Sequence, residues 1–323
     1  PNVDMTGWVK DNSASQIFDE SGLSQQELNN GLSSILDLIN ISNPKDGSRL
    51  YVAETSQAGW FKYNIERASE NDSGTVFFGW ERIDFDHINF DMFGMDDTGE
   101  IACDDLLIKA FAASKSLNKP VKNNKGTYLV NGSTAITIGF DYDLNGTVFK
   151  CGADFTGLFA IDGGIQTVRH NSSSELVTLL KTQLELSAGD AVLPALSNNA
   201  MIDNSYIKIF TTQPFYNYRG DIKNRVELNR VLKKGQLLSP FYFAFNSTYV
   251  SHVDVQPVAT RDFCGSGLTI DETLLNHDVM LVTINDGNAF RLKNFRFIDN
   301  LSSAIGITKD RIVISPNAHD IEI

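Results

Sequence analysis

Carboxylates dominate the side chains of the C-terminal part of this sequence that could do chemistry: Asp254, Asp262, Asp271, Glu272, Asp278, Asp286 and Asp299. A pair of them facing one another could act as general acid and general base, one giving a proton to a leaving group while the other takes one from water. Glu272 and Asp299 are the candidates of choice, because each directly follows a run that reads as a strand, Gly267 to Ile270 and Phe290 to Ile298. Arg296, beside Asp299, could orient an acidic substrate group. Taken singly, each acid is ordinarily a solvated turn residue. Tyr216, Tyr218 and Arg219 form a second cluster, aromatic and cationic. Gly163-Gly164 and Gly265-Ser266-Gly267 lack the strand-to-helix context of a phosphate loop and read as turns. His87, His170, His252, His277 and His319 show no ligand spacing, so no metal and no cofactor is expected.

The elements that would position these groups begin with Phe93 to Val130. An acidic turn is followed by one amphipathic helix, with Ile101, Leu107, Ile108, Phe111 and Ala112 on a shared face, then by a Lys/Asn-rich turn and a strand at Gly126 to Val130. Asp96, Asp97, Asp104 and Asp105 fall at or near the helix start, where the dipole and free N–H groups favour negative charge. Short strands continue at Ala135–Ile138, Gly146–Phe149 and Gly157–Ala160, and a helix is predicted over Ser173 to Leu186 from Leu176, Leu179, Leu180 and Leu184, a run that could equally supply strands. The last part of the chain alternates most clearly. Strands at Gly267–Ile270, Val279–Ile284, Phe290–Ile298 and Arg311–Ile314 are separated by Asn/Asp/Gly turns, at intervals that fit coils of roughly 20 to 30 residues. Leu292, Phe295 and Phe297 would point inward, and Arg291, Lys293 and Arg296 outward.

Upstream, Ser24 and Glu27 form a capping-box pair, and Leu28, Leu32, Ile35 and Ile39 follow at heptad-like spacing. So short a seam, weakened by Gly31, must be buried by other copies or by its own chain. Short aromatic and β-branched runs at Leu50–Val52, Gly59–Tyr63, Thr75–Phe78 and Trp80–Ile83 predict a small β-unit whose aromatic residues are its core.

The net charge of −13, from 40 acidic and 27 basic side chains, makes nucleic acid and anionic membranes poor partners. It also makes the position of each basic group informative. Three widely spaced cysteines, Cys103, Cys151 and Cys264, support neither a disulfide framework nor a zinc knuckle and read as buried thiols. With no signal-like N-terminus and no membrane-length apolar run, synthesis in a reducing cytoplasm is expected.

The order Phe93-Gly94, Asp96-Asp97-Thr98, Asp104-Asp105 and Gly126-Thr127-Tyr128 resembles the opening segment of pectin-lyase-like β-helices, as found in bacteriophage tailspikes and polysaccharide depolymerases. Asp19 to Asn29 resembles the neck ahead of such β-helices. Ala58 to Tyr63, Gly74-Thr75-Val76 and Trp80-Glu81-Arg82 resemble the small β-domain that follows it, and Gly189–Leu193, Asn224–Val226 and Leu237–Phe243 resemble an outward excursion between early coils, which implies a surface loop at 194–223 whose Tyr216, Tyr218 and Arg219 could touch a partner chain or a glycan.

The resemblance implies an all-β-dominated fold: a single-stranded right-handed parallel β-helix with an N-terminal helix cap, preceded by a small β-domain and a short helical neck. Its implied divisions are 1–44 linker and trimerisation neck, 45–92 small β-domain, 93–165 capping helix and first strands, 166–265 excursion with surface loop, and 266–323 coils that stop in mid-pattern, as in a piece of a longer protein. The implied function is a homotrimeric tailspike, held to the phage baseplate or other tail proteins by its N-terminus, that binds and cleaves capsule, O-antigen or an exopolysaccharide such as colanic acid. Hydrolysis, which needs two carboxyl groups across the bond, is favoured over lyase chemistry because the exposed candidates are mostly carboxylates. Glu272 and Asp299 would be catalytic, and Arg296, Tyr216, Tyr218 and Arg219 would touch substrate. A non-catalytic adhesin or adaptor of the virion tail is the competing class.

Overall fold

The structure, a computed structural model, describes residues 31–54, 56–182, 185–197, 199–218, 221–242, 244–275, 277, 279–298 and 311–323. The fold is mostly β, in two compact units: Pro1–Ile161 with Cys264–Thr283 and Leu292–Val313, and Asp162–Phe263 with Ile284–Arg291 and Ile314–Ile323.

The first unit opens with a four-stranded antiparallel sheet in which Arg49–Val52, Gly59–Tyr63, Trp80–Ile83 and Val76–Phe77 lie side by side. Part of the aromatic set forms its core, as the sequence predicts: Phe61, Tyr63, Phe77 and Trp80 are buried together with Leu32, Ile35 and Leu38, whereas Trp60 and Phe78 are exposed. The heptad reading needs correction here. Helix α1, Ile35–Ile39, starts only after its N-cap Ser34, while Leu32 is extended and bridges Val52, its N–H donating to the Tyr51 carbonyl at 2.7 Å. Gly31 fixes this course, because at φ +85° a Cβ would stand 2.7 Å from the Tyr51 oxygen. The described part of the seam is thus buried on its own chain; Leu28 lies outside the described residues.

Beyond Phe93 the unit changes to parallel pairing. Thr98–Ala102, Thr127–Val130, Val148–Cys151, Thr269–Asp271 and Arg296–Ile298 form one parallel ladder in that order. Val121–Lys122, Tyr142–Asp143 and Gly265-Ser266 form a second, and Ile136–Ile138 with Phe159–Ile161 a third. Alternation drives this arrangement: Tyr128, Val130, Phe149, Cys151, Ile136, Ile138, Phe159 and Ile161 are fully buried, while Thr137 is exposed and Lys150 half-exposed between them. Tyr128 and Phe149, partners in the first ladder, have ring centroids 6.3 Å apart, and Phe149 meets Phe159 of the third ladder at 4.9 Å.

The turns stack as closely as the strands. Asn123 donates to Thr147 Oγ1 at 2.9 Å, and Asn145 to Ser266 Oγ at 2.9 Å. A Cβ on Gly146 would meet the Asn124 oxygen at 2.4 Å, and one on Gly267 the Asn145 nitrogen at 2.3 Å. Both glycines have positive φ, so only glycine fits on both counts.

Helix α2, Asp104–Leu117, buries Leu107, Ala110 and Phe111, and Phe111 meets Phe90 edge-on at 5.9 Å. Two details differ from the sequence reading. Ile101 belongs to the preceding strand and is 68% exposed, and Ala112 is exposed too, so the buried stripe runs through Ala110 and Ser114 instead. Asp96 does not cap the helix; it closes the turn before that strand, accepting from Thr98 Oγ1 and from the Glu100 and Ile101 N–H groups.

In the second unit, Val168–Asn171, Val250–Pro257, Ser205–Tyr218 and Asp221–Val231 form an antiparallel sheet in that order. Ile207, Ile209, Val253 and Val255 point to one side, onto Leu176, Val177 and Leu180 of helix α3, Glu175–Lys181. That helix is shorter than predicted: Glu185–Leu186 pairs instead with Phe245–Asn246, and Leu184 lies outside the described residues. The expected surface loop at 194–223 folds as two single-turn 3-10 helices and a long hairpin. The alternating Ser205-Tyr206-Ile207-Lys208-Ile209-Phe210 gives this stretch one apolar face to bury, which a loop would leave exposed. Gly287 to Arg291 runs parallel to Ala318–Glu322. Among the described residues no helix is long and apolar enough to cross a membrane. Cys103 and Cys151 are buried as predicted, whereas Cys264 is exposed, because in its strand Phe263 and Gly265 take the inward positions.

Candidate functional site

Of the residues singled out from sequence, Glu272 and Arg296 fall in the first unit and Tyr216 and Tyr218 in the second. Glu272 follows Thr269–Asp271 as expected, and its N–H donates to the Ile298 carbonyl at 2.9 Å. Its carboxylate, however, has no exposed surface and pairs with Arg311 Nη2 at 2.6 Å. Arg311 in turn lies over the Phe297 ring, 5.7 Å from its centroid. To meet a glycan from solvent, Glu272 would have to leave that pair. Arg296 is exposed on the strand Arg296–Ile298, and Asp299 lies outside the described residues. Tyr216 is 53% exposed near the end of the long hairpin, where Tyr218 pairs with Asp221 through the backbone; Arg219 lies outside the described residues.

What the structure does assemble is the solvent side of the antiparallel sheet in the second unit. Residues directly opposite across a ladder share a face. Tyr206, Lys208 and Phe210 therefore stand beside Gln256, Asp254 and His252 on one neighbour, and beside Arg230, Leu228 and Val226 on the other. Arg169, opposite Asp254, clasps its carboxylate with Nε and Nη2 at 2.8 and 3.0 Å. Asp254 is only 4% exposed, while the Arg169 side chain is 58% exposed. Phe210 and His252 stack at 4.1 Å with 15° between their planes. Lys208 Nζ lies 5.3 Å from the Phe210 centroid and 3.3 Å from the Pro316 carbonyl. At the far end Tyr206 meets His319, with ring centroids 5.0 Å apart.

The charges on this face favour neutral histidines. Burial, then Arg169, lowers the His252 pKa, and burial, then Lys208, lowers that of His319. The tautomer of His252 also follows. Ser251 Oγ donates its hydrogen to the Phe210 carbonyl at 3.1 Å, so at 3.0 Å from His252 Nδ1 it must accept, which places the ring proton on Nδ1. None of this was read from the sequence, although the signal was there: His252-Asp254-Gln256 alternate with the buried Val253 and Val255, as Tyr206-Lys208-Phe210 do with Ile207 and Ile209.

Elsewhere, a cavity of about 400 Å³ lies at the start of α2 between Ala102–Leu106 and Asn131-Gly132. Its Asp104 carboxylate already accepts the Asn131 and Gly132 N–H groups. Among the described residues no group of three His, Cys, Asp or Glu side chains could hold a metal ion.

No family model matches the chain. Over 179 residues it is 29% identical to a capsule KL64-specific depolymerase of Klebsiella phage P510, a stretch that makes up 53% of this chain and 17% of that protein. The chain is similar to a phage depolymerase. The tailspike resemblance carried by Phe93 to Tyr128 agrees with that likeness.

Solved structures that resemble it are tailspikes as well. Gp54 of Acinetobacter baumannii bacteriophage AP22, in complex with A. baumannii capsular saccharide, has a TM-score of 0.39 at 14% identity, over 90% of this chain and 37% of that one. The Pseudomonas phage phi297 tailspike gp61 gives 0.43 at 10%, over 66% and 38%. Gp49 of Pseudomonas phage LKA1 gives 0.40 at 15%, over 73% and 46%. The chain spans less than half the length of each of these tailspikes.

Proposed function

We propose that this chain is part of a phage tailspike, carried on the virion tail, that binds a bacterial surface polysaccharide and depolymerises it during host adsorption. The observation that carries this reading is the 179-residue likeness to a capsule depolymerase. The three parallel ladders support it: they are read as the three faces of a right-handed parallel β-helix whose successive coils each add one strand to a face, with α2 as the cap that shields its first coil from solvent and from strand addition. Assembly as a homotrimer, with the N-terminus at the baseplate or on other tail proteins, rests on the resemblance alone.

Hydrolysis is the favoured chemistry, and Glu272 with Asp299 is the carboxylate pair that the sequence offers for it. The burial of Glu272 against Arg311 favours, as the second reading, an adhesin that binds without cleaving. One assay separates hydrolase, lyase and adhesin. The protein is incubated with capsular and exopolysaccharides from a panel of bacterial strains, and both new reducing ends and the ultraviolet absorbance of unsaturated uronates are followed. Reducing ends without absorbance indicate hydrolysis, and both together indicate elimination. Binding with neither signal leaves the adhesin, and neither binding nor cleavage across the panel refutes the tailspike reading.

A further inference from the structure

We propose that the solvent face of the antiparallel sheet in the second unit is a subsite for a carboxylate-bearing sugar, with Arg169 and Lys208 taking the carboxylate and Phe210, Val226 and Leu228 lying against the sugar ring. That the ligand is a saccharide rests on the depolymerase reading; that it is acidic rests on the face itself.

The chain carries 13 net negative charges, yet one side of this sheet carries an exposed Arg169 with half-buried Lys208 and Arg230. The acid among them, Asp254, is withdrawn beneath Arg169 and 4% exposed. It binds Nε and Nη2, which holds the guanidinium plane in place and leaves the Nη1 edge for a second acceptor. Lys208 donates to a neutral carbonyl, so its charge is not cancelled by that bond. Asp286 and Asp320, which lie toward the Tyr206 end, are engaged: Asp286 accepts from Ser315 at 3.0 Å, and Asp320 pairs with Arg291 at 3.2 Å. The Arg169 end is therefore the cationic one.

Apolar surface lies alongside. Val226 and Leu228 are 42% and 47% exposed, opposite Phe210 and Lys208. A sugar acid has the matching parts, C–H groups on one face of its ring and a carboxylate at its edge, and anchored charge beside apolar surface suits such a ligand. Charge complementarity favours it over a second copy of this acidic chain.

The test uses surface plasmon resonance with the panel of capsular polysaccharides, each presented native and after chemical reduction of its carboxyl groups to alcohols. Wild-type protein is expected to bind the reduced form roughly tenfold or more weakly, the loss that follows when a charged hydrogen bond is removed. Lys208→Glu is expected to weaken binding to the native form by a similar factor, and to change binding to the reduced form little. Because Arg169→Gln alone would strand Asp254, it is paired with Asp254→Asn, with the same expectation. Equal binding of native and reduced polysaccharide overturns the proposal while leaving the depolymerase reading intact. No binding or cleavage across the panel overturns both. If light scattering shows Lys208→Glu breaking up an oligomer, the face is covered by a second copy and the proposal is again overturned.

Discussion

Replacing Arg311 by Met should unmask what the Glu272 pair does for the fold. The carboxylate has no exposed surface and sits 2.6 Å from Arg311 Nη2, while the Arg311 side chain is 34% exposed. Removing one partner of a buried pair costs about 3–5 kcal/mol, because the other charge is left uncompensated in a poor solvent for ions. Partial exposure of Arg311 places the expected loss near the lower end, about 3 kcal/mol. The double variant Glu272→Gln/Arg311→Met carries no stranded charge and should recover most of that loss, giving a coupling of about 2 kcal/mol in a double-mutant cycle. Guanidinium unfolding followed by tryptophan fluorescence measures all four proteins. If Arg311→Met alone is as stable as wild type, or if the double variant is no better than the single, the pair is not the anchor argued here. Glu272→Gln assayed well below its melting temperature then decides its chemistry: full cleavage activity removes Glu272 from the catalytic candidates, and loss of activity with the fold intact keeps it.

Three further outcomes follow from the same structure. Asp96, held by the Ile101 and Glu100 N–H groups and by Thr98, has its pKa lowered to about 2. It therefore contributes stability that is fully present above the unfolded carboxylate value of about 3.9 and is lost as pH falls toward 2; thermal melts of Asp96→Asn should be flatter than wild type across that window. Gly267→Ala places a Cβ 2.3 Å from the Asn145 nitrogen at φ +80° and should cost more than about 1 kcal/mol in urea unfolding, whereas Gly189→Ala, at φ +95° with nothing within 4 Å, should show the smaller cost of the backbone conformation alone. Burial pushes the thiols of Cys103 and Cys151 up to about 11 and 12, while Cys264 is exposed. Brief iodoacetamide treatment of the native protein should modify Cys264 and spare the other two, as read by peptide mass.

Much of the fold was legible because its signals are local. The strands Gly59–Tyr63 and Trp80–Ile83 match their sequence runs residue for residue, and Leu292 is inside while Lys293 is outside, as period-two alternation requires. Failures came where a tertiary partner decides. Leu32 fits a heptad, but the Tyr51 backbone captures it as a bridge. Glu272 sits at a strand end as predicted, yet only its distant partner Arg311 determines that it is buried. The candidate subsite was missed for the same reason: Arg169, Lys208 and Asp254 are far apart in sequence and meet only through strand register, which hydrophobic pattern leaves open.

The ladder neighbours Val148–Cys151 and Thr269–Asp271 carry a consequence for how the protein folds. The preceding rung contact, Asn123 to Thr147, closes a segment of 24 residues, whereas Asn145 to Ser266 closes one of 121. For a flexible chain the longer closure costs about 1.4 kcal/mol more, (3/2)RT times the logarithm of their ratio. A compact second unit, with its own core, would shorten the effective tether by bringing its ends in ready-folded. Strands that precede and follow that unit in the chain would then pair only once it has formed, and a destabilising change in it, such as a polar residue at Ile209, would slow closure of a ladder formed by other residues.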